Sequence, residues 1–303
     1  MGGEVRRIAA GLAAVVLAGL WGCVPVSGVG GSLASPTAAV FAPTASPVVS
    51  TPSLTLAPTL TPTPTPIPTP TSVPTPTPTL TPAPDDGATP LAGLLIGLDA
   101  GHQAKGNAAL EPVAPGAAEQ KPKVSSGTAG RVSGVPEYKV NLAVALLLEQ
   151  KLTDLGARVL MARTANEVNI SNAERAVMMN EAGAALCIRL HANGSENGNV
   201  HGAMMLIPGG EGTKDIRAAS RQAGEILFRH FLRATGAADA GVIERTDLTG
   251  FNWSAVPVCL IEMGFMSNAA EDALLIDPLY QEKCAQGLAD GVVAWAGTLT
   301  IDD

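Results

Sequence analysis

From residue 91 onward, apolar runs of five or six residues alternate with longer stretches of helical period. Leu94–Leu98, Ala157–Met161, Ala185–Leu190, Ala203–Ile207 and Val256–Ile261 have the length and composition of buried strands. Between the first two lies Val140–Leu155, where Val140, Val144, Leu147, Leu148 and Leu155 share one face and Glu149, Lys151 and Asp154 fall elsewhere, the pattern of an amphipathic helix ended by Gly156. Ser171–Ala182 opens on Ser171 with Glu174 three residues later, a capping-box signature. Asp215–Thr235 and Pro278–Trp295 complete the predicted helices, the second with Asp277 as cap and Pro278 in its first turn. Strands alternating with helices predict an α/β fold: one domain, a mostly parallel mixed sheet, and helices on both faces. Gln103–Pro136 has neither period and is predicted to be a long loop; loops of that length in a compact domain are often functional.

The first 90 residues are a different material. No Asp, Glu, Lys or Arg occurs from Ile8 to Pro84, and 17 of the 24 prolines lie between Pro25 and Pro90. Arg6 and Arg7 precede an uncharged run to Trp21, the layout of a secretory signal, and the run is shorter than the roughly 20 residues that span a bilayer comfortably. Its end, Leu20-Trp21-Gly22-Cys23, resembles the cleavage box of bacterial lipoproteins, a resemblance that implies lipidation of Cys23; an ordinary secreted protein and an uncleaved signal anchor are the other readings. Residues 1–23 are therefore read as an export signal and 24–90 as an extended Thr-Pro tether. At about 3.1 Å per residue such a tether reaches on the order of 200 Å.

Residues 85–303 carry 17 basic and 26 acidic side chains. An acidic domain without a basic cluster argues against a nucleic-acid partner, whose binding rests on neutralised phosphates, and against a polybasic membrane contact. Beyond Cys23, Cys187 and Cys259 lie in strand-like runs and Cys284 in a helical one; without the short Cys/His spacing of a structural zinc site, they read as buried free thiols.

Three predicted strands run into a polar residue that can ligate a metal. Leu94–Leu98 leads to Asp99-Ala100-Gly101-His102, Ala185–Leu190 to His191-Ala192-Asn193, and Val256–Ile261 to Glu262-Met263-Gly264-Phe265. Ligands of open α/β sheets gather at the carboxyl ends of strands, so these side chains are placed to converge. Two imidazoles and a carboxylate suit a catalytic zinc with an open fourth position, and a further carboxylate would serve as base toward water. Glu137 is the best candidate for the ligating carboxylate, with Glu111 and Glu119 as alternatives that spacing does not exclude. His201 and His230 lack this placement and read as surface or packing residues.

Taken together, Asp99-Ala100-Gly101-His102, Glu137…Asn141-Leu142, His191-Ala192-Asn193 and Glu262-Met263-Gly264-Phe265 resemble, in order and spacing, the four motifs of the zinc-dependent N-acetylmuramoyl-L-alanine amidases of the amidase-3 family. Arg163-Thr164, Asn172-Ala173-Glu174-Arg175 and Ser267-Asn268 also fall where that family has similar residues. The resemblance covers roughly Leu94 to Trp295, within a catalytic domain placed at residues 91–303. It implies one zinc ion held by His102, Glu137 and His191, with Glu262 as the catalytic carboxylate and Asp99 accepting from a ligand imidazole. Asn193, Arg163 and Arg175 would lie behind the ligands or beside the substrate. It implies peptidoglycan as substrate, cleaved between N-acetylmuramic acid and L-Ala of the stem peptide, and action in the bacterial cell envelope at the outer face of the membrane. A zinc peptidase using Arg163, Arg175 or Arg189 to receive a free carboxylate, and a non-catalytic wall-binding lipoprotein, are the competing readings. The chain departs from the family at Ala100, usually Pro, at Gln103, commonly Gly, and at Arg189, usually Ser. Arg189 is expected to tolerate the core side of its strand only beside an acidic partner.

Overall fold

The computed structural model describes residues 80–81 and 89–299. Cys23, the signal and nearly all of the tether lie outside the described residues. In chain order the elements are β1 (Leu80–Thr81), β2 (Leu95–Ala100), β3 (Asn107–Pro112), β4 (Gln120–Val124), α1 (Glu137–Asp154), β5 (Arg158–Met161), α2 (Asn172–Ala182), β6 (Leu186–Asn193), β7 (Ala203–Pro208), α3 (Lys214–Thr235), β8 (Asp239–Arg245), α4 (Thr249–Asn252), β9 (Val258–Phe265), α5 (Ala269–Leu275) and α6 (Pro278–Ala296).

Seven strands form one mixed sheet in the order β1-β5-β2-β6-β9-β7-β8, in which β5, β2, β6 and β9 are mutually parallel. β7 runs antiparallel to β9, and β8 parallel to β7. Alternation along the strands sends residues to two cores. Ile96, Leu98, Ile188, Leu190, Cys259 and Ile261 face α1, α3 and α6. Leu95, Cys187, Val258 and Leu260 face the α2 side with Met179 and Phe251. Both faces are covered, which is why these strands read as continuous apolar runs. Cys187, Cys259 and Cys284 are buried and free, and burial raises their thiols.

The predicted caps are present. Ser171 Oγ accepts from Glu174 N while Glu174 Oε2 accepts from Ser171 N, and Asp277 accepts from Leu279 N. α1 begins at Glu137, three residues before its hydrophobic stripe, with Pro136 in extended backbone as its N-cap. Among the described residues no helix is long and apolar enough to cross a membrane.

Three segments differ from the sequence expectation. Leu80–Thr81, within the stretch read as tether, pairs antiparallel with β5. β8 is an edge strand whose residues are all half-buried or exposed, so it lacks the apolar run that marked the others. The predicted loop at Gln103–Pro136 contains the antiparallel hairpin β3–β4, whose polar and Ala-rich strands carry no strand signal. This hairpin is pinned to the domain. The Glu111 carboxylate accepts from Ala173 N at the start of α2, Trp253 Nε1 donates to Pro112 O, and Lys121 Nζ donates to Asp247 O. The segment after it is held by Asp272 of α5, which is fully buried and accepts from Val132 N, Ser133 N and Ser133 Oγ at 2.8, 2.9 and 2.6 Å. Asp272→Ala leaves those donors unpaired and is expected to cost about 2–4 kcal/mol in a urea titration; a loss below about 0.5 kcal/mol would show the clamp to be idle.

Candidate metal centre

β2 is the strand at which the connections reverse. α1 carries the chain from β2 to β5 on one side, and α2 carries it back across to β6 on the other. Crossovers of one hand then place these two helices on opposite faces and open a crevice at the carboxyl ends of β2 and β6. His102 follows β2 there, and His191 is near the end of β6. Glu262 of β9 stands directly across from His191 in the parallel register. Glu137, the first residue of α1, enters from the other side, and its backbone N–H donates to Thr128 O.

The four side chains form one cluster. His102 Nε2 lies 3.1 Å from Glu137 Oε2, and His191 Nδ1 lies 3.1 Å from Glu137 Oε1. The two rings meet edge to face with centroids 4.7 Å apart. Glu137 also accepts from Thr128 N, Ala192 N and Asn141 Nδ2. His102 Nδ1 lies 3.1 Å from Ser125 O and 3.0 Å from Ser125 Oγ, so Ser125 holds the ring from the side opposite Glu137. The sequence did not single out Ser125. It lies in the hairpin's descending arm, where spacing gives no hint of its contact.

The electrostatics follow from burial. Burial works to raise the Glu137 carboxyl, but its bonds and charge interactions with His102 and His191 hold it well below the usual carboxylate range. Burial lowers His191 to about 4, so its ring is neutral at pH 7 and free to ligate. Burial and then the Glu137 charge push Glu262 up to about 8, against a smaller pull from Arg245. A dication beside Glu262 would favour its ionised form. Both Glu262 Oε2 and His191 Nε2 are buried without a hydrogen-bond partner.

A metal ion fits this arrangement. One donor atom each from His102, Glu137 and His191 can be chosen so that all three lie within 4.8 Å of one another. Bonds of about 2.0–2.2 Å at tetrahedral angles separate neighbouring donors by roughly 3.4 Å, near the 3.1 Å contacts seen between Glu137 and each ring. Two imidazoles and one carboxylate are a donor set of catalytic zinc. Glycines make the approach possible. A Cβ on Gly101 would sit 2.2 Å from His191 Nε2, and one on Gly127 (φ +78°) would sit 2.5 Å from Glu137 Oε2. Gly101→Ala is therefore expected to swing the His191 ring away and weaken zinc binding at least tenfold in a chelator competition; unchanged affinity would mean the ring does not need its place over Gly101.

Residues 96–294 match the Amidase_3 family, described as N-acetylmuramoyl-L-alanine amidase. The chain belongs to this family. It is 30% identical over 223 residues to the N-acetylmuramoyl-L-alanine amidase Rv3717 of Mycobacterium tuberculosis, across 70% of this chain and 90% of that protein. The crystal structure of the N-acetylmuramyl-L-alanine amidase Ami1 of Mycobacterium smegmatis matches with TM-score 0.62 at 26% identity, covering 69% of this chain and 99% of that one. Ami1 of Mycobacterium abscessus, in its apo form, matches with TM-score 0.61 at 27% identity, over 68% and 99%.

Within the Amidase_3 domain the remaining singled-out residues find other places. Asp99, expected to accept from a ligand imidazole, is buried between guanidinium groups instead, with Arg175 Nη1 at 2.6 Å and Arg189 Nη2 at 3.1 Å. The strongest donors within its reach are these cations, which outcompete a neutral ring. Burial works to raise this carboxyl, and the two arginines hold it far below the usual range. Arg189, which departs from the family, thus has the acidic partner it needs. Gln103, the other departure, is buried and accepts from Ile170 N and Arg175 Nη2. Glu111 caps α2 and Glu119 is exposed, so of the three candidate carboxylates only Glu137 meets the imidazoles. Asn193 Nδ2 contacts Met204 Sδ at 3.7 Å and stays out of the cluster. His201 bonds Asn199 O, and His230 lies in α3, away from the centre.

Proposed function

We propose that this protein is a zinc-dependent peptidoglycan amidase that hydrolyses the amide between the lactyl group of N-acetylmuramic acid and L-Ala of the stem peptide. The observation that carries this reading is the convergence of His102, Glu137 and His191 on one point, with Glu262 across from His191. These three residues would hold the ion, with His102 and His191 neutral and Glu137 anionic. When bound, zinc supplies a Lewis acid for the scissile carbonyl and makes water acidic enough to attack at neutral pH.

The residues of the chain do the rest. The His102 ring is held through Nδ1 by Ser125, and Glu137 is fixed by three N–H donors, so neither turns when substrate arrives. Glu262 removes a proton from the attacking water as the new C–O bond forms. It then returns that proton to the L-Ala nitrogen as the C–N bond breaks, giving a lactyl carboxylic acid and a free amine, between which a proton passes at neutral pH to leave carboxylate and ammonium.

The peptidase reading needs a cation free to receive a carboxylate. Arg163, Arg175 and Arg189 are all buried; Arg163 and Arg175 are engaged by backbone carbonyls, side-chain amides and Asp99, and Arg189 is paired with Asp99 and Asn172. A wall-binding protein without catalysis has no use for an unpartnered buried carboxylate such as Glu262. The sequence of residues 1–90 supports export, attachment to the membrane through Cys23 or an uncleaved signal, and a Thr-Pro spacer that lets the domain reach the wall.

The test is digestion of purified peptidoglycan with zinc-loaded and chelator-treated protein, followed by mass spectrometry of the soluble products. Stem peptides beginning at L-Ala, released only with metal, are the expected result. Cuts inside the stem would make the protein a peptidase, and intact wall would remove the enzymatic reading.

A further inference from the structure

Arg163 stands just past the end of β5, is 2% exposed, and meets no carboxylate at hydrogen-bonding distance. Nε donates to Ala100 O at 2.7 Å. Nη2 donates to Gly101 O at 3.0 Å and to Tyr138 O at 2.8 Å. Nη1 donates to Ala165 O at 3.1 Å and to Asn166 Oδ1 at 3.2 Å. A guanidinium has five N–H donors, and here all five are engaged by neutral acceptors. Burial, and then repulsion from Arg175, lower its pKa to about 10, which leaves it charged at neutral pH. Asp99 and Glu137 offset part of that penalty from a distance, but a buried cation with no carboxylate bonded to it remains a cost to the fold. Its placement therefore calls for a role that a neutral or smaller side chain would not fill.

The acceptors identify that role. Ala100 and Gly101 are the two residues before His102, and Tyr138 follows Glu137. One planar group thus joins the backbones of the two segments that carry the first imidazole and the carboxylate. The join is made where the backbone needs it. His102 has φ +60°, the one positive value of a non-glycine residue among the described residues, in a left-handed region that non-glycine residues enter in only a few per cent of cases, Asn, Asp and His most often. Arg175 completes the hold, donating to Ala100 O at 2.9 Å and His102 O at 3.0 Å, so that three successive carbonyls are bonded from the same side. Of the two ligand-bearing segments Arg175 reaches the His102 one, and Asn141 Nδ2 links Gly101 O at 3.3 Å to the Glu137 side chain at 3.1 Å; Arg163 is the guanidinium that bonds the backbones of both.

We infer that Arg163 is a positioning residue for metal uptake, its rigid guanidinium setting the separation of the His102 and Glu137 segments so that the two ligands stand ready before an ion arrives. The inference rests on the zinc reading above. A lysine cannot replace it, because an ammonium is a point donor on a flexible stem and does not hold two backbones in one plane.

The experiment is a zinc affinity measurement by competition with a chromophoric chelator, on full-length wild type and Arg163→Lys, with thermal unfolding of both metal-free forms. Folded Arg163→Lys is expected to bind zinc about 10–100-fold more weakly, the range for losing a partner that orients a ligand. Leu152→Ala, a core truncation at the far end of α1, provides a destabilised comparison whose affinity should stay at the wild-type value. Equal affinity in folded Arg163→Lys and wild type would overturn the inference while leaving the zinc reading intact. Wild type that takes up no zinc would overturn the zinc reading first. Should Arg163→Lys fail to fold, a crystal structure of metal-free wild type decides. A His102 Nε2 to Glu137 Oε2 distance near 3.1 Å with positive φ at His102 is expected, and displaced segments would refute the preorganisation.

Discussion

Glu262→Gln is expected to leave zinc content at the wild-type value while lowering kcat on peptidoglycan by about 10²–10⁴-fold, the range for removing a general base. The substitution keeps the shape of the side chain and one oxygen, so packing along β9 should survive. Gln neither accepts a proton from water nor returns one to the leaving amine. Glu262 sits across from His191 but outside the group whose donor atoms converge, which is why metal should remain. Metal analysis and a fragment-release assay on the same preparation check both halves. Turnover near the wild-type rate would take the proton-transfer role from Glu262, and loss of zinc would make it a ligand instead.

His191→Ala is expected to abolish both metal binding and activity, an effect larger than the 10–100-fold that follows loss of a residue behind a ligand. Only Glu137 and His102 would then remain of the three converging donors. Normal zinc content in this variant would refute the ligand assignment. The metal-free proteins should also differ in acid. Burial holds folded His191 near 4, below its ordinary value of 6.5, so the unfolded chain binds the proton more readily. Wild type should lose stability as pH falls from about 6.5 toward about 4, and His191→Ala should lack that part of the slope. Parallel urea midpoints across this window measure the difference.

Much of the proposed centre was legible because three of its four residues follow an apolar strand. The runs ending at Leu98, Leu190 and Ile261 announced His102, His191 and Glu262 through strand length and a polar stop. Glu137 was readable as a helix start but not as the nearest carboxylate, since Glu111 and Glu119 lay in the same unpatterned stretch. What separated them was the hairpin, whose strands carry neither β-branched runs nor alternation. Glu111 reaches the start of α2 only because β3 and β4 pair. The role of Asp99 was misread for a related reason. Its neighbours in sequence are apolar, while its partners Arg175 and Arg189 come from α2 and from the adjacent strand.

The sequence by itself determined the α/β class, the strands and helices that build the parallel sheet, the capped helix starts, and the residue types able to hold a metal. Those follow from local periodicity and from side-chain chemistry, both of which act within a few residues. Only the tertiary structure decided which carboxylate meets the two imidazoles, that Ser125 holds the His102 ring, and that Arg163 joins the His102 and Glu137 segments. Each of these is a contact between residues 23 to 63 positions apart, several of them bonds to backbone atoms that carry no side-chain identity. Such contacts are created when the crossovers reverse at β2 and the chain closes over its own strand ends, a step that sheet order governs and local patterning does not record.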